Sequence, residues 1–183
     1  MIEVRRTPLT IETARLSLRP IEAADFEALY ALWSDERFAL AVLPAVPGRE
    51  DVWMRLLCNI GHWRASGFGN WAVRLRDTGA FVGTAGVFDF RRDIEPAFDA
   101  PEAGWGIASA HQRQGLGLEA VTAVLDWSDA VLQTPRTVCM IGAANAPSLA
   151  LAARAGFRPW RRARYKDQPH VLLERGRSVH GGR

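Results

Sequence analysis

The chain has 183 residues, 48% hydrophobic and 23% charged, a composition typical of one globular domain with a sizeable core. Its net charge of +3 and pI near 9.4 suit a small anionic ligand but fall short of a nucleic-acid-binding composition. No early run resembles a signal peptide, and none approaches the roughly twenty apolar residues of a membrane span. We therefore expect one cytoplasmic domain over residues 1–183, with flexible ends at residues 1–8 and 176–183.

The two cysteines, Cys58 and Cys139, lie inside apolar runs and lack the spacing of metal ligands. We predict two buried free thiols, because neither position suggests a disulfide or a zinc site. Metal-dependent chemistry is therefore not expected.

The first half of the chain begins with a strand and continues with two helices. The strand is predicted around residues 16–20, where Leu16 and Leu18 alternate with polar residues and Pro20 ends the run. A loop at residues 41–48 separates the helices. Their apolar faces repeat at helical spacing, with Phe26, Leu29, Tyr30 and Trp33 in the first helix and Val52, Leu56, Ile60 and Trp63 in the second.

The second half combines antiparallel strands with a strand-helix-strand unit. A hairpin is predicted over residues 71–90 and a strand over residues 103–108, joined by a mixed-charge loop that we interpret as solvated. A long helix, a strand at residues 137–141, a helix capped by Asn145 and a closing hairpin follow. This order favours an α/β fold with a mixed sheet, antiparallel in one half and locally parallel around residues 103–141.

A polar loop and two glycines lie between the strand at residues 103–108 and the long helix. The N-terminus of a helix presents unpaired backbone amides and the positive end of the helix dipole. Gly115 and Gly117 would let phosphates approach that backbone closely. The sequence therefore predicts an anion-binding cradle formed by the amides of Gln114, Gly115, Leu116 and Gly117, with Arg113 as a phosphate ligand or a solvated surface residue.

Three glycine motifs compete for this segment. A Walker loop is excluded, because Leu118 and Glu119 stand where it needs Lys and Ser or Thr. The dinucleotide fingerprint is matched in its loosest form by Gly115, Gly117 and Ala120. Against it, a polar loop separates the strand from the glycines and no acid for a ribose ends the following strand.

The third motif carries a resemblance to a known family. Gln112-x-x-Gly115-x-Gly117 resembles the pyrophosphate-binding signature of the GNAT (GCN5-related) N-acetyltransferases. Asn145-x-x-Ser148, followed by Ala155-Gly156-Phe157, is similar to the second signature of that family. Gly67-Phe68-Gly69, Trp71 and Thr78-Gly79 before Gly83 resemble the branch that acetylates ribosomal-protein N-termini (the RimJ/RimL-like branch). The resemblance covers about residues 9–174.

This resemblance implies the GNAT fold, a mostly antiparallel sheet with a splayed parallel strand pair flanked by helices. It implies acetyl-CoA as co-substrate, with the pyrophosphate held at residues 112–117. The freed backbone of Ile107 and Ala108 is expected to bind the pantetheine arm. Asn145 is expected to cap a helix through its oxygen and to contact the same arm through its amide.

The resemblance also suggests catalytic residues. Glu102, which begins the strand before the cradle, is the candidate general base, and an ordinary polar residue at a strand start is the alternative. Ser148 matches the position that hydrogen-bonds or protonates the departing thiolate, and Tyr165 is a second candidate for that role. An α-amine suits such a base better than a lysine, since its pKa of about 7.7 to 8.0 leaves more of it neutral.

We therefore expect an N-acetyltransferase that acts by direct attack of a primary amine, either a protein N-terminus or a small-molecule amine. A non-catalytic acyl-CoA-binding module on the same fold is one alternative. A dinucleotide-binding oxidoreductase is a more remote one. Monomer and homodimer are both compatible with the sequence, and the acceptor is expected to lie against the loops at residues 34–50 and 89–101.

Overall fold

The structure, a computed structural model, describes residues 9–178 and contains one mixed sheet of eight strands in the order β1-β2-β3-β4-β5-β6-β8-β7. Neighbouring strands are antiparallel except β5 and β6, which are parallel. This confirms the predicted fold class. The strands are β1 Ile11–Glu12, β2 Leu16–Pro20, β3 Asn70–Leu75, β4 Phe81–Phe88, β5 Glu102–Ile107, β6 Arg136–Gly142, β7 Arg158–Tyr165 and β8 Gln168–Gly176.

Five α-helices cover the sheet within the described residues: α1 Phe26–Ser34, α2 Glu36–Ala39, α3 Arg49–Ser66, α4 Leu116–Val131 and α5 Ala146–Arg154. The short helix α2 was not predicted. It forms because the Asp35 carboxylate accepts hydrogen bonds from the backbone N–H groups of Arg37 and Phe38. None of the helices between residues 9 and 178 is long and apolar enough to cross a bilayer.

Two apolar cores lie on opposite faces of the sheet. The core under α4 and α5 includes Ala103, Ile107, Leu116 and Ala120. The core under α1, α2 and α3 includes Leu32, Phe38, Val52 and Leu56. Since side chains alternate along a strand, Ala103 and Ile107 of β5 face α4, whereas Glu102, Gly104 and Gly106 face the three N-terminal helices.

Strands β5 and β6 separate almost as soon as they meet. They are in register at one position, Glu102 opposite Val138, whereas β5 pairs with β4 from Glu102 to Ile107. Ala108 N–H donates to Val82 O, which directs the peptide groups of even-numbered β5 residues toward β4. Beyond the paired position, the peptide groups of Trp105 and Ile107 therefore point toward the opening between β5 and β6.

Three local predictions need correction. Cys58 is exposed, because it lies on the outer side of α3, while Cys139 is buried as predicted. The loop before β5 is not fully solvated, since Ile94 is buried within it. The chain remains ordered beyond Gly176, where the N–H of Arg177 donates to Pro135 O and that of Ser178 to Asp129. The remaining predicted flexible residues, 1–8 and 179–183, lie outside the described residues.

Candidate active site

The loop between β5 and α4 is shaped by its own side chains. Gln112 Nε2 donates to Ile107 O at 2.9 Å, and Gln114 Nε2 donates to Ala110 O at 2.9 Å. Arg113 and Gly115 have φ angles of 59° and 79°, in the left-handed region. Gln112 therefore holds the loop with one of its amide hydrogens, and residues 112–115 are exposed and accessible to a ligand.

The N-terminus of α4 is open to a ligand. Gly115 is its N-cap residue, and no side chain among residues 9–178 caps it. The first-turn amides thus have no intrahelical partners and fit a pyrophosphate. Gly117 fits tightly, because a Cβ there would lie 3.0 Å from Leu151 Cδ1 and 3.2 Å from Ile107 Cγ1. Because position 117 has no side chain, the first turn of α4 packs closely against β5 and α5.

Arg15, which the sequence did not suggest, anchors this cradle from the turn between β1 and β2. Its Nη1 donates to Gln114 O at 3.0 Å and its Nε to Glu119 at 2.7 Å. Glu119 also accepts from the Thr13 hydroxyl at 2.6 Å. Partial burial acts to raise the pKa of Glu119, but the hydrogen bonds from Thr13 and Arg15 outweigh it and hold that pKa below its ordinary value.

Asn145 and Ser148 lie at the start of α5, across the opening from the cradle. Asn145 Oδ1 accepts from the N–H of Ser148 at 3.2 Å, as a helix cap should. The Asn145 amide nitrogen donates to Ala41 O at 3.1 Å, which uses one of its two hydrogens. Asn145 therefore joins α5 to the loop after α2 and has one N–H left for a ligand.

One predicted contact is not supported by the backbone geometry. Ala108 donates its N–H to Val82 O, and its carbonyl accepts from the His111 N–H at 2.8 Å. Both peptide groups are thus already satisfied and do not face the opening. Trp105, which the sequence does not single out, presents its N–H and C=O there together with the N–H of Ile107, whose carbonyl already accepts from Gln112. Strand alternation is the signal that could have identified Trp105.

Glu102 lies at the opposite end of β5 from the cradle, and it is buried. The Arg92 Nε donates to Glu102 Oε2 at 2.5 Å, and Arg92 Nη1 donates to the Tyr165 hydroxyl at 3.3 Å. These three side chains come from β5, the preceding loop and the end of β7. The sequence predicts a solvated loop at Arg92, whereas the structure places the Arg92 guanidinium against Glu102. The reason is that a carboxylate buried at a strand start requires a cationic partner.

The pKa of Glu102 is raised above its ordinary value. Burial is the largest cause, and the negative charge of Asp89 adds to it, while the hydrogen bond and charge of Arg92 act in the opposite direction. Burial likewise raises the pKa of the Cys139 thiol, on the strand beside Glu102. Glu102 is thus an ionisable group moved toward neutral pH, which is typical of a catalytic base.

A cavity of about 350 Å³ opens beside Glu102. Its walls are aromatic and charged, and the rings of Phe88 and Phe90 stack within it at 4.4 Å. Its lining is Phe88, Asp89, Phe90, Arg91, Arg92, Ala97, Phe98, Ala100 and Glu102. The cavity lies at the loop of residues 89–101, one of the two predicted acceptor walls.

The site therefore has an anion cradle at one end of β5, a buried carboxylate at the other, and an opening in the sheet between them. The family model of the acetyltransferase (GNAT) domain matches residues 15–158 of this chain. The chain belongs to the GNAT acetyltransferase family. It is accordingly an acetyl-CoA-dependent acyltransferase, and the dinucleotide-dependent oxidoreductase is dismissed.

Solved structures of this family share the whole fold. A GNAT-family acetyltransferase from Bordetella pertussis is 35% identical, with 91% of this chain and 99% of that chain covered at a TM-score of 0.79. An acetyltransferase from Agrobacterium tumefaciens is 25% identical, with coverage of 95% and 98% and a TM-score of 0.79. RimL, a ribosomal L7/L12 α-N-protein acetyltransferase in complex with coenzyme A, shares the fold at 16% identity, with coverage of 91% and 97% and a TM-score of 0.75.

Proposed function

We propose that this GNAT protein transfers the acetyl group of acetyl-CoA to a primary amine by direct attack, with no covalent enzyme intermediate. The observation that carries the proposal is the opening between β5 and β6, since the strand that borders it has the cradle at one end and the cavity beside Glu102 at the other. From Glu102 to Ile107 the strand rises about 17 Å, at roughly 3.3 Å per residue. We take this span as the path of the pantetheine arm.

The residues of the opening would bind the coenzyme in three places. The first-turn amides of α4 hold the pyrophosphate, and the positive charge of Arg113, just before the helix, attracts it. The N–H and C=O of Trp105 and the N–H of Ile107 bind the arm as an added strand would, because β6 does not occupy that edge. The remaining amide hydrogen of Asn145 reaches the arm from α5.

Glu102 is the proposed general base. Acetyl transfer to an amine requires a neutral nucleophile, a stabilised oxyanion and a proton for the leaving thiolate. An α-amine with a pKa near 7.7 to 8.0 is more often neutral at pH 7 than a lysine with a pKa near 10.4, so a weaker base suffices to deprotonate it. Because burial raises the pKa of Glu102, its carboxylate is a stronger base than an exposed glutamate.

Backbone and hydroxyl groups supply the other two requirements. An N–H on the open edge of β5 is the proposed oxyanion donor, a contact whose loss typically costs about 3 to 4 kcal/mol. Ser148, at the start of α5, would hydrogen-bond the sulfur. Tyr165, held by Arg92 beside the cavity, is the second candidate for the thiolate proton.

The favoured acceptor is the α-amine of a peptide or protein. The fold shared with RimL, which by its name acts on the α-amine of a ribosomal protein, is consistent with this choice. A small-molecule amine is the alternative acceptor within the same reaction.

The proposal is tested with purified protein, acetyl-CoA and a panel of peptides and small amines. We expect release of free thiol and a mass increase of one acetyl group on at least one acceptor. Glu102→Gln should reduce turnover at neutral pH with unchanged coenzyme binding, while Glu174→Gln, an arginine-paired glutamate on β8, should retain turnover. Coenzyme binding without thiol release on any acceptor would instead support a non-catalytic acyl-CoA-binding module.

A further inference from the structure

One face of α3 packs against the start of the loop that lines the cavity. Arg55, Asn59 and His62 follow one another at helical spacing and therefore share that face. Asn59 accepts a hydrogen bond from Asn70 Nδ2 at 2.6 Å, and His62 Nε2 accepts from the Asp89 N–H at 3.0 Å. The face is thus fixed against the start of β3 and the start of the cavity loop, and it carries Arg55 about two helical turns before His62.

The guanidinium of Arg55 is held by an aromatic surface. Its Cζ lies 4.8 Å from the centre of the Trp33 ring, and Trp33 packs edge-on against Phe38 at 5.0 Å. The Phe38 ring in turn covers β5 at Gly106, where a Cβ would lie 2.7 Å from it. Arg55 therefore stands on the same side of β5 as Glu102.

The charge of Arg55 also interacts with the charge of Arg92, which lines the cavity. Arg55 is exposed as a residue, yet partial burial lowers the pKa of its guanidinium. The charge of Asp51, one helical turn earlier, raises that pKa, whereas the charge of Arg92 lowers it. Arg55 and Arg92 are therefore close enough for their charges to interact. Such an arrangement attracts an anion, because each positive charge is less well solvated than at an open surface.

The other arginines of this region are paired with carboxylates. Arg92 is paired with Glu102 at 2.5 Å, and Arg91 lies 3.9 Å from Asp89. Within residues 9–178, no carboxylate oxygen lies within 4.0 Å of a side-chain nitrogen of Arg55. Arg55 thus has no direct ion pair in the described part of the chain, although the charge of Asp51 acts on it, and its guanidinium can bind a carboxylate of a ligand.

We propose that Arg55 binds a carboxylate of the acceptor, so that the preferred acceptor is a primary amine that also carries a negative charge. The amine points to Glu102 and the carboxylate to Arg55, whose planar group can bind both carboxylate oxygens. The inference rests on the proposed acceptor site. An acidic side chain next to a peptide N-terminus and the α-carboxylate of a free amino acid both have this chemistry.

The test uses pairs of acceptors that differ only in charge. Peptides beginning Ala-Asp and Ala-Glu are compared with Ala-Asn and Ala-Gln, and free alanine with its amide, by kcat/KM from thiol release. We expect a preference of about tenfold or more for the acidic member, the size of one charge-assisted hydrogen bond. A preference among the peptides would identify an acidic side chain as the source of the carboxylate. A preference for free alanine over its amide would identify the α-carboxylate.

Variants of Arg55 separate recognition from folding. Arg55→Gln should abolish the preference and leave the neutral acceptor within about twofold of wild type, since neutral peptides make no ion pair. Arg55→Lys should retain part of it, because the charge remains but the planar fork is lost. Arg64→Gln, an exposed arginine on the same helix, should keep the full preference.

Binding of acetylated products measures the same contact without turnover. Calorimetry with CoA present compares N-acetyl-Ala-Asp and N-acetyl-Ala-Asn peptides on wild type and on Arg55→Gln. Equal binding and equal acetylation of the acidic and neutral members, or a preference that survives Arg55→Gln, would overturn the role of Arg55. Acid-selective binding that requires Arg55, with no acetylation of any amine, would support this role and refute the proposed reaction instead.

Discussion

Glu102 and Arg92 form a largely buried ion pair at the proposed catalytic site. The carboxylate is buried and its pKa is raised by that burial, yet the guanidinium at 2.5 Å limits the rise. A base of this kind acts only when deprotonated, so the rate should fall as the pH drops through its pKa. If Glu102 is the base, as proposed, we expect Arg92 to set the lower end of the working pH range.

Arg92→Gln should move the acidic limb of the kcat/KM profile to higher pH. The substitution removes the interaction that lowers the pKa of Glu102, and burial alone then favours the protonated form. Asp89→Asn should move the limb the other way, because the Asp89 charge raises the same pKa. Initial rates across pH 5 to about 9 measure both shifts, and a limb that stays in place in both variants would contradict Glu102 as the base.

Sequence could identify Glu102 as a candidate but not its environment. The strand position of Glu102 and the glycine pattern at residues 112–117 are local, and local patterns are visible in a sequence. The contacts that define its chemistry are made by Arg92, which bonds to Glu102, 10 residues away, and to Tyr165, 73 residues away. Arg55 and Arg15 were likewise missed, because only the packing of α3 and of the β1–β2 turn brings them to the site.

At the scale of elements, the cradle depends on a turn that few residues can adopt. Gly115→Ala should destabilise the fold by about 1 kcal/mol, because φ at this position is 79°. Coenzyme binding should weaken by about tenfold, since the added methyl narrows the approach to the amides.

Gly61→Ala is a suitable control for this glycine. It lies within α3, and a Cβ there would meet nothing within 4 Å, so we expect a gain of about 0.5 to 1 kcal/mol. Urea unfolding and titration with CoA measure both effects. Unchanged CoA affinity in Gly115→Ala would argue against the cradle as the pyrophosphate site.

Arg15→Gln should weaken coenzyme binding by about three- to tenfold, since the cradle loses its anchor and Glu119 is left uncompensated beside the phosphates. Arg76 provides a matched control, as it is half exposed and paired with Glu12 at 3.0 Å, like Arg15 with Glu119. Arg76→Gln should leave CoA affinity unchanged in the same titration. Equal losses in both variants would point to a general effect of surface charge.

The elements with strong periodicity were predicted well, and the exceptions have physical reasons. Helices α1, α3 and α4 carry apolar residues at helical spacing, and this pattern defined them without help from the fold. Helix α2 has one turn, too short for a period, and depends on the Asp35 cap. The order of β7 and β8, with β8 inside, could not be read from two similar segments joined by a turn.

At the scale of the whole molecule, the C-terminal strand is tied to α4 by a buried ion pair. Both guanidinium ends of Arg175 donate to the Asp129 carboxylate, at 3.0 and 2.8 Å. Asp129→Asn should cost about 3 to 5 kcal/mol, because it leaves a buried charge without its partner. Asp99→Asn, at an exposed carboxylate paired with Arg136, should cost far less, because water already solvates that charge.

Chemical denaturation distinguishes these two variants. A shift in the urea midpoint with an unchanged slope would show lost stability of the same fold. Equal midpoints for Asp129→Asn and Asp99→Asn would mean that the buried pair contributes no more than a surface one.

The opening between β5 and β6 has a consequence for the timing of the reaction. The cradle lies at one end of β5 and the Glu102 cavity at the other, so neither substrate has to leave before the other arrives. Initial velocities measured at several fixed concentrations of the second substrate should then give reciprocal plots that intersect. Parallel lines would instead indicate a covalent acetyl-enzyme intermediate that forms before the acceptor binds.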